Sequence, residues 1–326
     1  MRKILSIFLV LLPLLSVAQF APPAGQEGTT AMSADSSAFV AWATGCVVER
    51  GPKRIDRPEQ GVASYGVEAD ALGKADDTLL VSLGDGGNAV LTFASPICNG
   101  PGPDFAVFEN PLESAQHPGT YFLELAFVEV SSDGEHFVRF PAYSNIPYET
   151  QMGSFGCTDP SLVHNLAGKY APHYGTPFDL DDLEEEAGLD KQSITHVRVV
   201  DVVGCIRPEY ATYDVQDHIV NDPWPTPFES SGFDLDAVGV IHDVAHYQVG
   251  ERPEPMVTVA PNPVADQLHV EAEQFVFLAV YSVAGQPLLV SESPLVDVSF
   301  LPDGLYLLRV VDGDRTVVKK IIKTKL

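Results

Sequence analysis

Five side chains in two short stretches have the types that bind a hard cation or move a proton. Asp104, Glu109 and Asn110 bracket the apolar run Phe105-Ala-Val-Phe108, and Asp234 and Asp236 alternate with Phe233 and Leu235. Carboxylate and amide oxygens, supplemented by loop carbonyls, meet the roughly six to eight oxygens that Ca²⁺ requires. Asp234 and Asp236 are two residues apart, so in a strand they project from one face, opposite Phe233 and Leu235. A structural Ca²⁺ held by these five residues is therefore expected. The same carboxylates would serve as an acid/base pair in glycoside cleavage if two of them stood roughly 5–10 Å apart in a cleft. The plain alternative is an acidic row facing solvent.

A second set is aromatic. Tyr143, Tyr148, Phe155, Tyr170, Tyr174, Tyr210, Tyr213, Trp224 and Phe228 fall in stretches without strand periodicity. The densest is Asn221-Asp-Pro-Trp-Pro-Thr-Pro-Phe228, where prolines on both sides fix the backbone around Trp224 and lower the entropy lost when a ligand stacks on it. Trp224, Phe228, Tyr148, Tyr170, Tyr174 and Tyr213 are the expected contacts to a sugar ring or another flat ligand. The competing reading is that long loops bury their own aromatics, and burial of Trp224 separates the two.

His242 and His246 are spaced i, i+4, which on a helix would hold a metal. They follow a strand-like run and lack the Glu of H-E-x-x-H, so a structural or surface role is expected. Cys46, Cys98, Cys157 and Cys205 include no C-x-x-C pair and, in an exported chain, read as disulfides. Cys46–Cys98 and Cys157–Cys205 are the favoured pairs, because each would staple loops beside neighbouring strands. No G-x-S-x-G, P-loop or dinucleotide fingerprint occurs.

The chain has 326 residues and a net charge of −26. Of its 45 acids, eight lie in residues 256–326; of its 19 bases, six lie there and two in the first three residues, leaving 37 acids against 11 bases between residues 19 and 255. Such a surface excludes nucleic acid and anionic lipid as partners, since both require a basic face. Met1-Arg-Lys3, the apolar run from Ile4 to Val17 and the small residues Ser16 and Ala18 read as a signal peptide over residues 1–18. No later run approaches about eighteen apolar residues, so no transmembrane segment is expected.

Strands must position these groups. Ser37–Ala43 alternates, placing Phe39 opposite Trp42. Asp77–Leu83 and Ala89–Phe93 flank Gly84-Asp-Gly-Gly87, a hairpin signal. Asp104–Glu109, Phe122–Val130, His136–Phe140, Thr195–Val203 and Phe233–Ile241 read as further strands, and Asp179–Leu189 as an acid-capped helix of one to three turns. Residues 141–177 form a long loop region. With no repeated βαβ pattern, residues 19–248 define an antiparallel sandwich. A linker at residues 249–255 leads to residues 256–326. There Gln267–Glu271, Phe277–Val283, Leu305–Val311 and Thr316–Lys323 alternate between Gly, Asp and Pro turns, as in a small Ig-like β-sandwich.

The C-terminal stretch carries Ala260-Pro-Asn-Pro263, Tyr281-Ser-Val-Ala-Gly-Gln286, Leu301-Pro-Asp-Gly-Leu-Tyr306 and a Lys-rich end, in that order. It resembles the type A sorting domain of the Bacteroidetes type IX secretion system, which implies delivery to the outer cell surface and the secretion machinery as partner of residues 256–326. The central region carries Val130-Ser-Ser-Asp-Gly134, Phe137-Val-Arg-Phe140, Val197-Arg-Val-Val-Asp201 and Asp234-Leu-Asp-Ala-Val238. It resembles the galactose-binding-like jelly roll, a resemblance that also implies a structural Ca²⁺. More narrowly, through Asp104-Phe-Ala-Val-Phe-Glu-Asn110 and Asn221-Asp-Pro-Trp-Pro-Thr-Pro-Phe228, residues 30–242 resemble uncharacterised bacterial cell surface proteins, some of which resemble neighbours of surface cobalamin-capture systems.

The expected fold class is all-β: a jelly-roll-like antiparallel β-sandwich followed by a small Ig-like β-sandwich. The expected function is a secreted, non-enzymatic binding module for a glycan or another small nutrient. The alternatives are a structural or adhesive surface protein, a carboxylate-based glycoside hydrolase, and an accessory of cobalamin capture.

Overall fold

A computed structural model of the chain describes residues 20–246, 257–272, 275–283, 285–312 and 315–324. The expected signal peptide and linker lie outside these residues. The chain divides into two compact units, Met1–Tyr247 and Gln248–Leu326. Both are built from antiparallel strand ladders, and among the described residues no helix is long and apolar enough to cross a membrane.

In the first unit, one five-stranded sheet orders Met32–Ser33, Tyr174–Phe178, Phe105–Phe108, Ala237–Val240 and Ala41–Trp42. The other orders Val138–Arg139, Ala126–Ser131, Ile194–Asp201, Asn88–Ile97 and Gly45–Glu49. The chain crosses repeatedly between the sheets, and their facing apolar residues form one core. Phe105, Val107, Phe178 and Val238 meet Leu91, Val128, Val130 and Val197 there. At its centre the rings of Phe105, Phe140 and Phe178 lie 5.1–5.9 Å apart.

The first sheet is buried on both faces. Ala106 and Phe108 point away from the shared core and are covered by Phe39 and Trp42, with the three aromatic rings 5.0–5.6 Å apart. Only Ala41 and Trp42 of the expected strand Ser37–Ala43 are extended, so Phe39 and Trp42 pack together instead of pointing to opposite faces. Gly175 and Gly239 make room for the rings. A Cβ at these positions would fall 2.8 Å from the Phe108 ring and 2.7 Å from the Phe39 ring.

On the second sheet Glu129 is only 5% exposed and is the register partner of both Arg139 and Arg198. Both guanidiniums form ion pairs with it while lying 4.3 and 4.0 Å from the Phe127 and Phe137 rings. A buried carboxylate here is thus matched by two cations.

Elsewhere, backbone amides take that role. Asp201 accepts hydrogen bonds from the N–H groups of Gly86 (2.8 Å) and Phe233 (2.7 Å), and Asp222 from Leu125 (2.7 Å). Asp214 accepts from Ser144, Gln216 and His218 at 2.8–2.9 Å. Asp85 accepts from the Ile55 N–H (2.8 Å) and the Trp224 indole (2.9 Å). All four aspartates are buried. This fastening explains why the expected hairpin over residues 77–93 does not form. Asp201 holds Gly86, Val81–Ser82 pairs with Asp234–Leu235, and Asn88–Ile97 joins a different sheet. The expected helix at Asp179–Leu189 is one 3₁₀ turn, Leu180–Asp182, capped by the Asp179 side chain. Residues from the long loop region, among them Ile146, Val163 and Leu166, build a small core with Tyr121, Leu123, Leu125 and Val220.

The four cysteines are free thiols, which corrects the two expected bridges. Cys46 stands opposite Leu91 in register, and Cys98 lies seven residues further along the chain. The strand bulges between Thr92 and Ile97, which stand opposite His196 and Ile194, so Ile97 lies three ladder steps, roughly 10 Å, beyond Leu91 and Cys98 further still, past the reach of a disulfide. Cys205 is buried against Val203 and Trp224, whereas Cys157 is exposed.

The second unit pairs a three-stranded sheet (Thr258–Ala260, Gln267–Glu271, Leu295–Asp297) with a four-stranded one (Pro287–Ser291, Phe275–Ser282, Gly304–Asp312, Arg315–Lys323). Leu268, Val270, Leu278, Val280, Leu308, Val310 and Ile321 fill its core.

Replacing Asp201 by Ala removes the acceptor of the exposed Gly86 N–H and orphans the buried Phe233 N–H, the latter costing about 1–3 kcal/mol without a partner. Urea unfolding is expected to show that loss; a midpoint equal to that of the parent would contradict the fastening role.

Candidate functional site

Where the strand Phe105–Phe108 ends, the chain delivers Glu109, Asn110 and Leu112 to the wall of a cavity of about 310 Å³. Phe122 and Glu124 form a second wall, Phe155 comes from the long loop region, and Phe228, Ser230 and Asp234 complete the lining. Glu124 is held by its neighbours. Leu123 and Leu125 are anchored in the small core, and Asp222 grips the Leu125 N–H. Gly168 backs it closely, at φ +83°, where a Cβ would fall 2.0 Å from the Glu124 carbonyl oxygen. Asp234 accepts a hydrogen bond from the Ser82 hydroxyl on the paired strand. Phe155 and Phe228 stack on each other, centroids 5.8 Å apart and 30° between planes, and stay 77% and 42% exposed at the rim.

The electrostatics of this cavity differ from those at Glu129. Glu109 is 3% exposed and its Oε2 has no hydrogen-bond partner; Glu124 is 7% exposed. Among the described residues, none of Glu109, Glu124 and Asp234 forms an ion pair. Burial raises the Glu109 carboxyl well above the ordinary range, and the charges of Asp234, Asp222 and Asp236 raise it further. Burial does the same to Glu124, reinforced by Asp234, Glu109, Asp222 and Asp201. Burial lifts Asp234 to about 7, against the opposing hydrogen bond from Ser82.

Of the five expected metal ligands, the structure brings together Glu109, Asn110 and Asp234. Asp104 is elsewhere: its Oδ1 accepts from the Gly100 N–H and pairs with His242 Nδ1, each at 2.8 Å, and its Oδ2 accepts from the Leu180 N–H. Asp236 accepts from the N–H groups of Asp76 and Asp77 at 3.3 and 3.2 Å. Their oxygens serve loop amides, so the five-residue calcium set does not assemble. Among the described residues no group of three or more His, Cys, Asp or Glu is arranged to hold a metal ion. His242 pairs with Asp104 and His246 with Asp243, so each histidine of the i, i+4 pair has its own carboxylate.

Of the expected ligand aromatics, only Phe228 lines the cavity. Trp224 is 7% exposed, donates its indole N–H to Asp85 and lies 5.5 and 5.0 Å from the guanidiniums of Arg54 and Arg207. It is part of the interior and no platform for a ligand. Tyr170 is buried with its hydroxyl 2.7 Å from Thr30 Oγ1. Tyr148 stacks on His218, Tyr174 sits in a strand beside the His173 ring, and Tyr213 bridges to Ile219. Glu124 carried no signal in the sequence, because alternation with Leu123 and Leu125 reads as an ordinary solvent-facing acid.

The geometry of the second unit agrees with its motifs. Residues 258–324 match the family described as the secretion system C-terminal sorting domain. The chain is therefore addressed to the cell surface through type IX secretion. No curated protein matches the chain. Among solved structures, Ruminococcus gnavus β-glucuronidase aligns at 11% identity over 94% of this chain and 46% of that one, with a TM-score of 0.20. The same enzyme in complex with N1-substituted uronic isofagomine gives 11%, 94%, 47% and 0.22. The chain spans about half the length of these proteins, and likeness at these scores carries no argument about fold or activity.

Burial also lifts Asp85 and Asp236 to about 6. These two and Asp234 bind protons more tightly folded than unfolded, where a carboxyl titrates near about 4. Between about pH 4 and about pH 7 the folded state therefore holds extra protons, and stability falls as pH rises. Carboxylates held below their usual range, such as Asp76, lose their contribution only as pH falls below about 4. Melting by calorimetry is expected to give a lower Tm at pH 8 than at pH 5; a Tm that rises across that interval would contradict these assignments.

Proposed function

We propose that residues 20–246 form a non-enzymatic binding module, carried to the cell surface by the sorting domain, that takes a small exterior nutrient into the Glu109–Glu124–Asp234 cavity. One observation carries this reading: Glu109, whose Oε2 is buried without a partner, lines a ligand-sized cavity rimmed by the stacked rings of Phe155 and Phe228. Buried polar atoms without partners are rare, and an amphipathic ring face suits a sugar. The resemblance of the central region to galactose-binding-like jelly rolls and to surface proteins near cobalamin capture supports the same class of ligand. A signal peptide at residues 1–18 would supply the first step of the export route.

A glycoside hydrolase is the second reading, favoured by one observation. Glu109, Glu124 and Asp234 line one cavity and burial raises the proton affinity of all three, and carboxyls brought together in a cleft are what glycoside cleavage uses.

Thermal unfolding against a panel of glycans and corrinoids decides for the module. A ligand class is expected to raise Tm, with the rise abolished in Phe155→Ala/Phe228→Ala and the unliganded Tm changed little, since both rings are exposed. Ligand-induced shifts that survive in that variant would overturn the cavity as the site. Turnover of chromogenic glycosides, lost in Glu109→Gln and Asp234→Asn, would overturn the non-enzymatic reading. Deleting residues 256–326 is expected to abolish surface exposure, measured by protease accessibility on intact cells.

A further inference from the structure

The first unit compensates its buried carboxylates in two ways, and the cavity uses neither in full. Glu129 has two guanidiniums. Asp201 and Asp222 have backbone N–H donors. Glu109, Glu124 and Asp234 share one small cavity with the Ser82 hydroxyl as a donor to Asp234, and Glu109 Oε2 has no partner. Carboxylates removed from water are costly unless a cation meets them, and here none is supplied from within the described residues. The cavity is nonetheless reachable, and its remaining walls are Leu112, Phe122, Phe155 and Phe228. Aromatic faces attract a cation that still carries apolar surface, and they offer nothing to a hydrated metal ion.

Resting on the reading of this cavity as a ligand site, we infer that its ligand is an organic cation: a small molecule whose ammonium group sits among Glu109, Glu124 and Asp234 while its body lies against Phe122, Phe155 and Phe228. Asp234 lines the cavity with the two glutamates, and the charges that act most on them belong to acids: Asp234, Asp222 and Asp236 on Glu109, and Asp234, Asp222 and Asp201, with Glu109 itself, on Glu124. Burial raises the proton affinity of these carboxyls and an entering ammonium lowers it, so binding releases protons and tightens as pH rises.

The test is calorimetric titration of the full chain with matched pairs: 2-phenylethylamine against 2-phenylethanol, and glucosamine against glucose, with calcium chloride as a separate arm. At least one ammonium member is expected to bind at least tenfold more tightly than its neutral counterpart. Its heat should differ between buffers of different ionisation enthalpy, in the direction of proton release. Glu109→Gln should weaken it at least tenfold while melting no lower than the parent, since the change removes a buried acid and keeps its shape. Equal affinity within both pairs, silence of both ammonium members, or unchanged binding in Glu109→Gln would overturn the inference. Neutral sugars binding through Phe155 and Phe228 while amines stay silent would overturn the cation and leave the cavity as the ligand site. A calcium response lost in Glu109→Gln, with no response to amines, would replace the organic cation by a metal.

Discussion

A carboxylate withdrawn from water must be accompanied by a proton, a cation or a set of N–H donors. That requirement shapes the first unit more than its hydrophobic pattern does. The apolar residues on two facing sheets would make a sandwich with many different loops. The loops that exist are those whose amides a buried aspartate can reach: Gly86 and Phe233 on Asp201, Leu125 on Asp222, Ser144 and His218 on Asp214, Leu180 and Gly100 on Asp104. Part of the acidity that reads as surface charge is thus interior fastening.

The cavity follows from the same network. Asp201 and Asp222 fix Phe233 and Leu125, and each of these is chain neighbour to a cavity acid, Asp234 and Glu124. The fastening carboxyls position the cavity carboxyls; burial raises their own proton affinity too, and when ionised they raise that of Glu124. Structure and electrostatics are coupled here by distance alone. A site assembled at strand ends on tightly held loops can be polar and still well defined.

Much of the second unit was legible in the sequence. Gln267–Glu271 is a strand over the very residues whose alternation marked it, with Leu268 and Val270 buried, and the four ordered motifs fall within the stretch that matches the sorting domain. In the first unit, strand existence was legible at Phe105–Phe108, Ala126–Ser131 and Ile194–Asp201, where continuous or alternating apolar runs report burial directly. What sequence periodicity missed was set by long-range contacts. Gly84–Gly87 looks like a hairpin turn, yet Asp201, over a hundred residues later, captures Gly86. Phe39 and Trp42 follow strand alternation on paper, yet both rings turn onto Phe108. Glu109, Asn110, Asp234 and Phe228 were recognisable by type, whereas Glu124 reads as a solvent-facing acid until the segments bearing Glu109 and Asp234 cover it.

Glu109 is a buried carboxyl whose Oε2 has no internal partner and whose proton affinity burial raises, and the side-chain ¹³C shift of Glu109 reports its protonation directly. In protein labelled at the glutamate carboxyl carbon, with Glu109→Gln used to assign the signal, a pH titration of the free chain should show Glu109 ionising well above the pH at which an exposed glutamate does. A Glu109 signal that ionises where an exposed glutamate does would mean that the cavity holds its carboxylate by some internal means, and the case for a cavity poised to receive a ligand would fall with it.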